Sequence, residues 1–143
     1  MGGFDRLVRR VSVNGVTVTF GDRDAVDPAK LGVPVYPNAT AVWPYGATGY
    51  SSTKGSATDG LLSTKDAFET VYYWYRARLP NDDLKVRPDP GGGAQSAEFE
   101  VPDPNAPDPV LIRVDSVNGV TDVEISKGRR EVILDAAPTL PPR

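Results

Sequence analysis

Ser63-Thr64-Lys65-Asp66-Ala67-Phe68-Glu69-Thr70-Val71-Tyr72-Tyr73-Trp74-Tyr75-Arg76-Ala77-Arg78-Leu79-Pro80 is the stretch on which the fold turns. Successive residues of a helix sit about 100° apart, and that spacing gathers Phe68, Val71, Tyr72, Tyr75 and Leu79 into one apolar stripe. Ser63 to Asp66 has the spacing of a capping box, with Asp where Glu is usual. Asp66 and Glu69 near the start and Arg76 and Arg78 near the end complement the helix dipole, and Pro80 is a stop. The pattern predicts a helix over Ser63–Leu79, with Trp74 on its flank and Tyr73 turned away from the stripe. Such a helix needs a platform on which to bury its stripe.

The rest of the chain supplies strands for that platform. Val occurs 18 times, more than Leu and Ile together at 9 and 3. Branching at Cβ favours pleated strands. Leu7 to Phe20 reads as a hairpin around Asn14-Gly15, a pair suited to a type I′ turn because both residues need positive φ. Val110–Val117, Asn118-Gly119 and Val120–Ser126 make a second hairpin. The hexapeptide Ser-Val-Asn-Gly-Val-Thr occurs at 12–17 and again at 116–121 with unrelated flanks. It is one turn solution used twice, not a duplicated domain. Further strands are expected at Ala39–Trp43, Tyr50–Thr53, Ala57–Leu62, Asp83–Arg87, Ala97–Val101 and Glu131–Asp135, separated by loops rich in Gly and Pro, which number 14 each. The expected architecture is an α+β domain over residues 1–135, one amphipathic helix packed on an antiparallel sheet of five to seven strands, followed by a proline-rich tail at 136–143.

Composition narrows the chemistry. The length, 143 residues, suits one domain. Lys plus Arg is 16 against 19 for Asp plus Glu, a net charge of -3, which argues against nucleic acid as a partner. Cys and His are both absent, which removes disulfides, thiol nucleophiles, Cys/His zinc sites and His-based triads. No apolar run is long enough to span a bilayer, and the first residues lack the apolar core of a secretory signal. Localisation is therefore left unassigned, with an extracytoplasmic place expected if the chain is a mature or trimmed form.

Several short patterns resemble the spacings of known chemistry. Ser51-Ser52-Thr53-Lys54 has the Ser-x-x-Lys spacing of serine acyl-transferases, but lies in a Gly/Ser/Thr stretch without helical periodicity or the companion elements. Asp22, Asp24 and Asp27 put three carboxylates on one loop, without the Gly and Glu of a calcium loop, and read as capping and solvation. Asp82-Asp83, Glu98, Glu100 and Glu124 fall where solvated charges normally stand. Gly91-Gly92-Gly93 precedes a strand rather than a helix, so it is no phosphate cradle. No catalytic residue, metal site or cofactor is assigned. Pro138-x-x-Pro141-x-Arg143 has the spacing read by SH3 grooves, and Asn38-Ala39-Thr40 is a glycosylation acceptor on paper. The candidate contact residues are aromatic: Tyr36, Trp43, Tyr45 and Tyr50, close together in sequence, and Tyr73 on the outer helix face.

Val33-Pro34-Val35-Tyr36-Pro37-Asn38-Ala39, a Ser/Thr-rich stretch, and Val71-x-x-Trp74-Tyr75-x-x-x-Leu79 together resemble a group of uncharacterised bacterial envelope proteins and lipoproteins. Those carry a Pro-x-Tyr-Pro-Gly-Ala opening and a Val-x-x-Phe/Trp-Tyr-x-x-x-Leu helix. The likeness covers roughly residues 31 to 126, with Asn38 in place of the usual Gly and no lipid-attachment Cys. It implies no activity and no catalytic residues. The expectation is a non-enzymatic binding or structural module, acting through protein–protein contact or self-association in a bacterial envelope or larger assembly. The alternative is a small-ligand or carbohydrate-binding domain, with a pocket between helix and sheet lined by Tyr36, Trp43 and Tyr75.

Overall fold

The computed structural model describes residues 9–79, 85–87 and 95–136. Both Asn-Gly turns form as expected. Asn14 and Gly15 have φ of 51° and 80°, and Asn118 and Gly119 have 54° and 79°. They join β1 (Arg9–Val13) to β2 (Val16–Phe20), and β8 (Val110–Val117) to β9 (Val120–Gly128). Between the hairpins come a 3-10 turn (Arg23–Val26), α1 (Pro28–Leu31), β3 (Thr40–Ala41), β4 (Ala47–Ser52), β5 (Gly55–Thr64), α2 (Phe68–Arg78), β6 (Lys85–Arg87) and β7 (Ser96–Val101). The chain ends its described course in α3 (Arg130–Ala136).

The strands form one antiparallel sheet in the order β1-β2-β4-β5-β9-β8-β7-β6, with β3 pairing the far end of β5. The class is α+β, as expected, but among the described residues there are nine strands rather than five to seven, and three helices rather than one. Directly paired side chains share a sheet face, and faces alternate along each strand. That rule reveals the main feature of the fold, a buried face that changes side partway across the sheet. Ile112, Ile125, Val114, Val123 and Phe99 point to the face covered by α2. Val18, Tyr50 and Ala57 are paired in one row and point to the opposite face, covered by Val132 and Ala136 of α3. The switch occurs within β5, where Ala57 belongs to the second core and Leu62, on the other face, to the first.

Two expectations about helices need correction. Glu131–Asp135 was expected as a strand and is instead the body of α3. A strand would have put Val132 and Leu134 on one face, yet Val132 is fully buried and Leu134 is 58% exposed. Burial follows Val132 and Ala136, four residues apart, as a helix requires. Ala136, assigned to the tail, is therefore a core residue; residues 137–143, with the Pro-x-x-Pro-x-Arg pattern, lie outside the described residues. The long helix begins at Phe68, not Ser63, because β5 keeps its pairing with β9 through Thr64 and Thr121. No capping box forms; the N-cap Ala67 has no side-chain bond, and Thr64 Oγ1 accepts from Asp66 N at 3.1 Å. The apolar stripe itself holds: Phe68, Val71, Tyr72, Tyr75 and Leu79 are all buried, and Tyr73 faces outward.

Candidate functional site

The five aromatic candidates do not form one surface. Tyr36 is buried beneath α2, its ring edge-on to Trp74 at 5.4 Å and its backbone N–H donating to Tyr75 Oη at 3.2 Å. Tyr50 is buried in the second core. Trp43 is half-buried with the Arg23 guanidinium 4.9 Å above its ring. Tyr45 is 57% exposed and edge-on to Phe20 at 5.2 Å. Tyr73, also 57% exposed, stands alone on the outer face of α2 against the edge of Tyr72. Of the trio proposed to line a pocket, Tyr36 and Tyr75 instead fill the space under α2 with each other.

The charged groups that sequence patterns single out act as struts. Tyr36 Oη donates to Asp66 Oδ2 at 2.5 Å, and Asn38 Nδ2 donates to the same oxygen at 2.8 Å. These bonds hold the Asp66 carboxyl below the usual range, while the Tyr36 hydroxyl is raised, chiefly by its bond to Asp66. Burial pushes Tyr75 up to about 12. Lys54, from the Ser-x-x-Lys pattern, ties the β4–β5 turn to α3 through Asp135 at 3.0 Å and Glu131 at 3.1 Å. Those two bonds, Asp135 first, raise its pKa. Asp22 caps the 3-10 turn and Asp27 caps α1, so two of the three loop carboxylates do capping work. Lys127 Nζ donates to Leu31 O at 3.1 Å and lies 3.6 Å from Asp103, whose Oδ2 is otherwise buried without a hydrogen bond. Lys127 thus pins the α1 loop to the loop after β7.

One open face lies on the β1–β2–β4–β5 half, on the side that α3 leaves bare. Two rows of residues run across it: Ser12, Thr17, Ser51 and Ser56, and beside them Arg10, Thr19, Gly49, Thr58 and Lys127. Thr17, Ser51, Ser56, Thr19, Gly49 and Thr58 of these rows floor a trough of about 450 Å³, walled by Asp22, Asp24, Lys30 and Lys127. A Cβ at Gly49 would run into the Asp22 carboxylate and force that side chain to shift. The same half ends in β1, which has no strand on its outer side among the described residues. In a two-residue hairpin the pair next to the turn, here Val13 and Val16, exchanges both backbone bonds. Alternation then turns the N–H and C=O of Val13, Val11 and Arg9 toward β2, and those of Ser12 and Arg10 outward. Arg9 and Arg10 are exposed and meet no carboxylate among the described residues, and Val11, on the second-core face, is 42% exposed.

The edge was readable in sequence as the first arm of the Asn14-Gly15 hairpin, but its position at the rim of the sheet was not. The trough was missed because its floor comes from β2, β4, β5 and β9, and only register brings those hydroxyls together. Among the described residues no group of three or more acidic side chains is placed to hold a metal ion, and no helix is long and apolar enough to cross a membrane. No protein-family model, curated protein or solved structure matches the chain.

Proposed function

We propose that this protein is a non-enzymatic binding module acting through protein–protein contacts, in the bacterial envelope setting that the sequence resemblance implies or in another larger assembly. The observation that carries this reading is the open β1 edge: a five-residue strand with outward backbone groups at Arg10 and Ser12, beside a half-exposed Val11. An unpaired edge of this kind is a ready template for another strand. It contrasts with the far rim, where β6 has three residues. The charged side chains described above are spent on capping and on tying loops together, which supports a scaffold rather than a reaction centre. The test is Ser12→Pro, which removes an outward N–H while leaving the bonds to β2 in place. Used as bait in extracts of the source cells, the wild-type chain retains a protein partner or a second copy that the variant loses. Failure of both to retain anything, with wild-type light scattering monomeric at every concentration, overturns the reading.

A second reading, small polar ligands, is favoured by the hydroxyl-floored trough. It relocates the expected pocket from the aromatic residues to Thr17, Thr19, Ser51, Ser56 and Thr58. Titration of mono- and oligosaccharides while following the amide resonances of Thr17 and Thr58 checks it; unchanged resonances at saturating sugar remove it.

A further inference from the structure

The composition of β1 says what kind of strand fits beside it. This inference rests on the edge reading above and specifies the partner. We infer that the β1 edge receives an extended acidic segment of another protein, paired antiparallel, whose residues opposite Val13 to Arg9 run apolar, polar, apolar, acidic, acidic.

The pattern follows from the face each β1 residue occupies. Val11 and Val13 lie on the face of the second core, in line with Val18, Val16 and Tyr50. Apolar residues opposite them extend that core past the rim and cover Val11, whose 42% exposure is what an unpaired edge leaves behind. Ser12 lies on the trough face, in the hydroxyl row of Thr17, Ser51 and Ser56, so a polar residue opposite it extends that row. Arg10 is also on the trough face and Arg9 on the other. Each therefore calls for its own carboxylate directly opposite, where paired Cβ atoms stand about 4.5–5.5 Å apart. The chain carries a net charge of -3, so two adjacent arginines without acidic partners among the described residues mark a locally positive rim on an acidic molecule. Backbone bonds to Arg10 and Ser12 hold the segment; the arginines select it.

A second copy of the chain fits less well. Antiparallel self-pairing that uses both outward residues must centre on Val11, with Arg10 opposite Ser12 of the other copy. That places the two Arg10 side chains diagonally on one face, about 7–8 Å apart at Cβ, with no carboxylate between them. A carboxylate-bearing strand removes this repulsion.

The probe is a capped peptide containing Val-Thr-Val-Glu-Glu between serines, followed by NMR on the full chain. It protects the Arg10 and Ser12 amides from exchange and leaves the Val11 amide, already bonded to β2, unchanged. Arg10→Glu weakens it about tenfold, and a Lys-Lys version of the peptide then binds the variant better than the wild type. A peptide with Gln for Glu that binds the wild type equally well overturns the acidic specificity while leaving the edge reading intact. Self-association protecting the same two amides, without response to the peptide, also overturns the inference and leaves that reading standing. Wild-type Arg10 and Ser12 amides that exchange freely with every peptide and at every protein concentration, with the Arg10 amide of Ser12→Pro exchanging at the same rate, sink both.

Discussion

The two halves of the sheet solve the same packing problem with unequal means. The β9–β8–β7 half buries a broad layer of Val, Ile and Phe under α2, where the Phe68 ring stacks on Tyr72 and the Tyr72 and Tyr75 rings pack against Phe99. The β1–β2–β4 half buries Val16, Val18, Tyr50 and Ala57 under the short α3, with Val132 and Ala136 as its main contribution. Surface ties reinforce this second half: the Lys54 pairs to Glu131 and Asp135, and the Asn14 amide donating to Asp135 O at 3.0 Å. The difference teaches where stability resides. The large core fixes the fold, and the small one sits beside the β1 edge proposed above to take a partner strand.

Substitutions in each half measure that inequality. Phe99→Ala opens a cavity among the rings under α2 and is expected to cost about 3–5 kcal/mol, seen as a large drop in the denaturation midpoint of the whole chain. Val132→Ala removes two methyl groups from the small core and costs about 2 kcal/mol. Hydrogen exchange places its main effect in α3 and β2, with α2 and β8 little changed. Equal spreading of that effect over both halves would contradict two separable cores.

Acid acts on the α2 half. The Asp66 carboxyl is depressed in the folded state, chiefly by the Tyr36 hydroxyl and then by Asn38. Its contribution is therefore complete above the unfolded value of about 3.9 and is lost as pH falls through the lower folded value. Measured by chemical denaturation, the stability difference between wild type and Asp66→Asn stays constant near neutrality and shrinks below about pH 4. A difference independent of pH would show that the carboxylate does not clasp the 33–39 loop. The smallest effect belongs to Lys54→Met on the α3 side. Its ion pairs are exposed, so faster exchange in α3 is expected at low salt and vanishes at high salt.

These differences also track what sequence could show. The hairpins were legible because Asn-Gly demands positive φ at two successive residues, and α2 because five apolar residues repeat at helical spacing. The Val132-Ile133-Leu134 run of α3 was misread, since so short an apolar stretch with β-branched residues fits either period. Ser63-Thr64-Lys65-Asp66 imitated a capping box while its residues were held by β9, Tyr36 and Asn38. The change of buried face in β5 has no local signature. Alternation shows that Ala57 and Leu62 lie on opposite faces, but not that both are covered. The aromatic candidates are spread over the molecule for a related reason: nearness in sequence did not show that Tyr36 and Tyr50 lie in different cores.

Methyl and aromatic NOEs on the labelled chain test the two-faced sheet most directly. The account predicts contacts from the Ala57 methyl to Val132 and Ala136 and none to the α2 rings, with Ile112 and Val114 methyls close to those rings instead. Strand-type shifts over 130–136, or NOEs from Ala57 to Tyr72 or Tyr75, would contradict it.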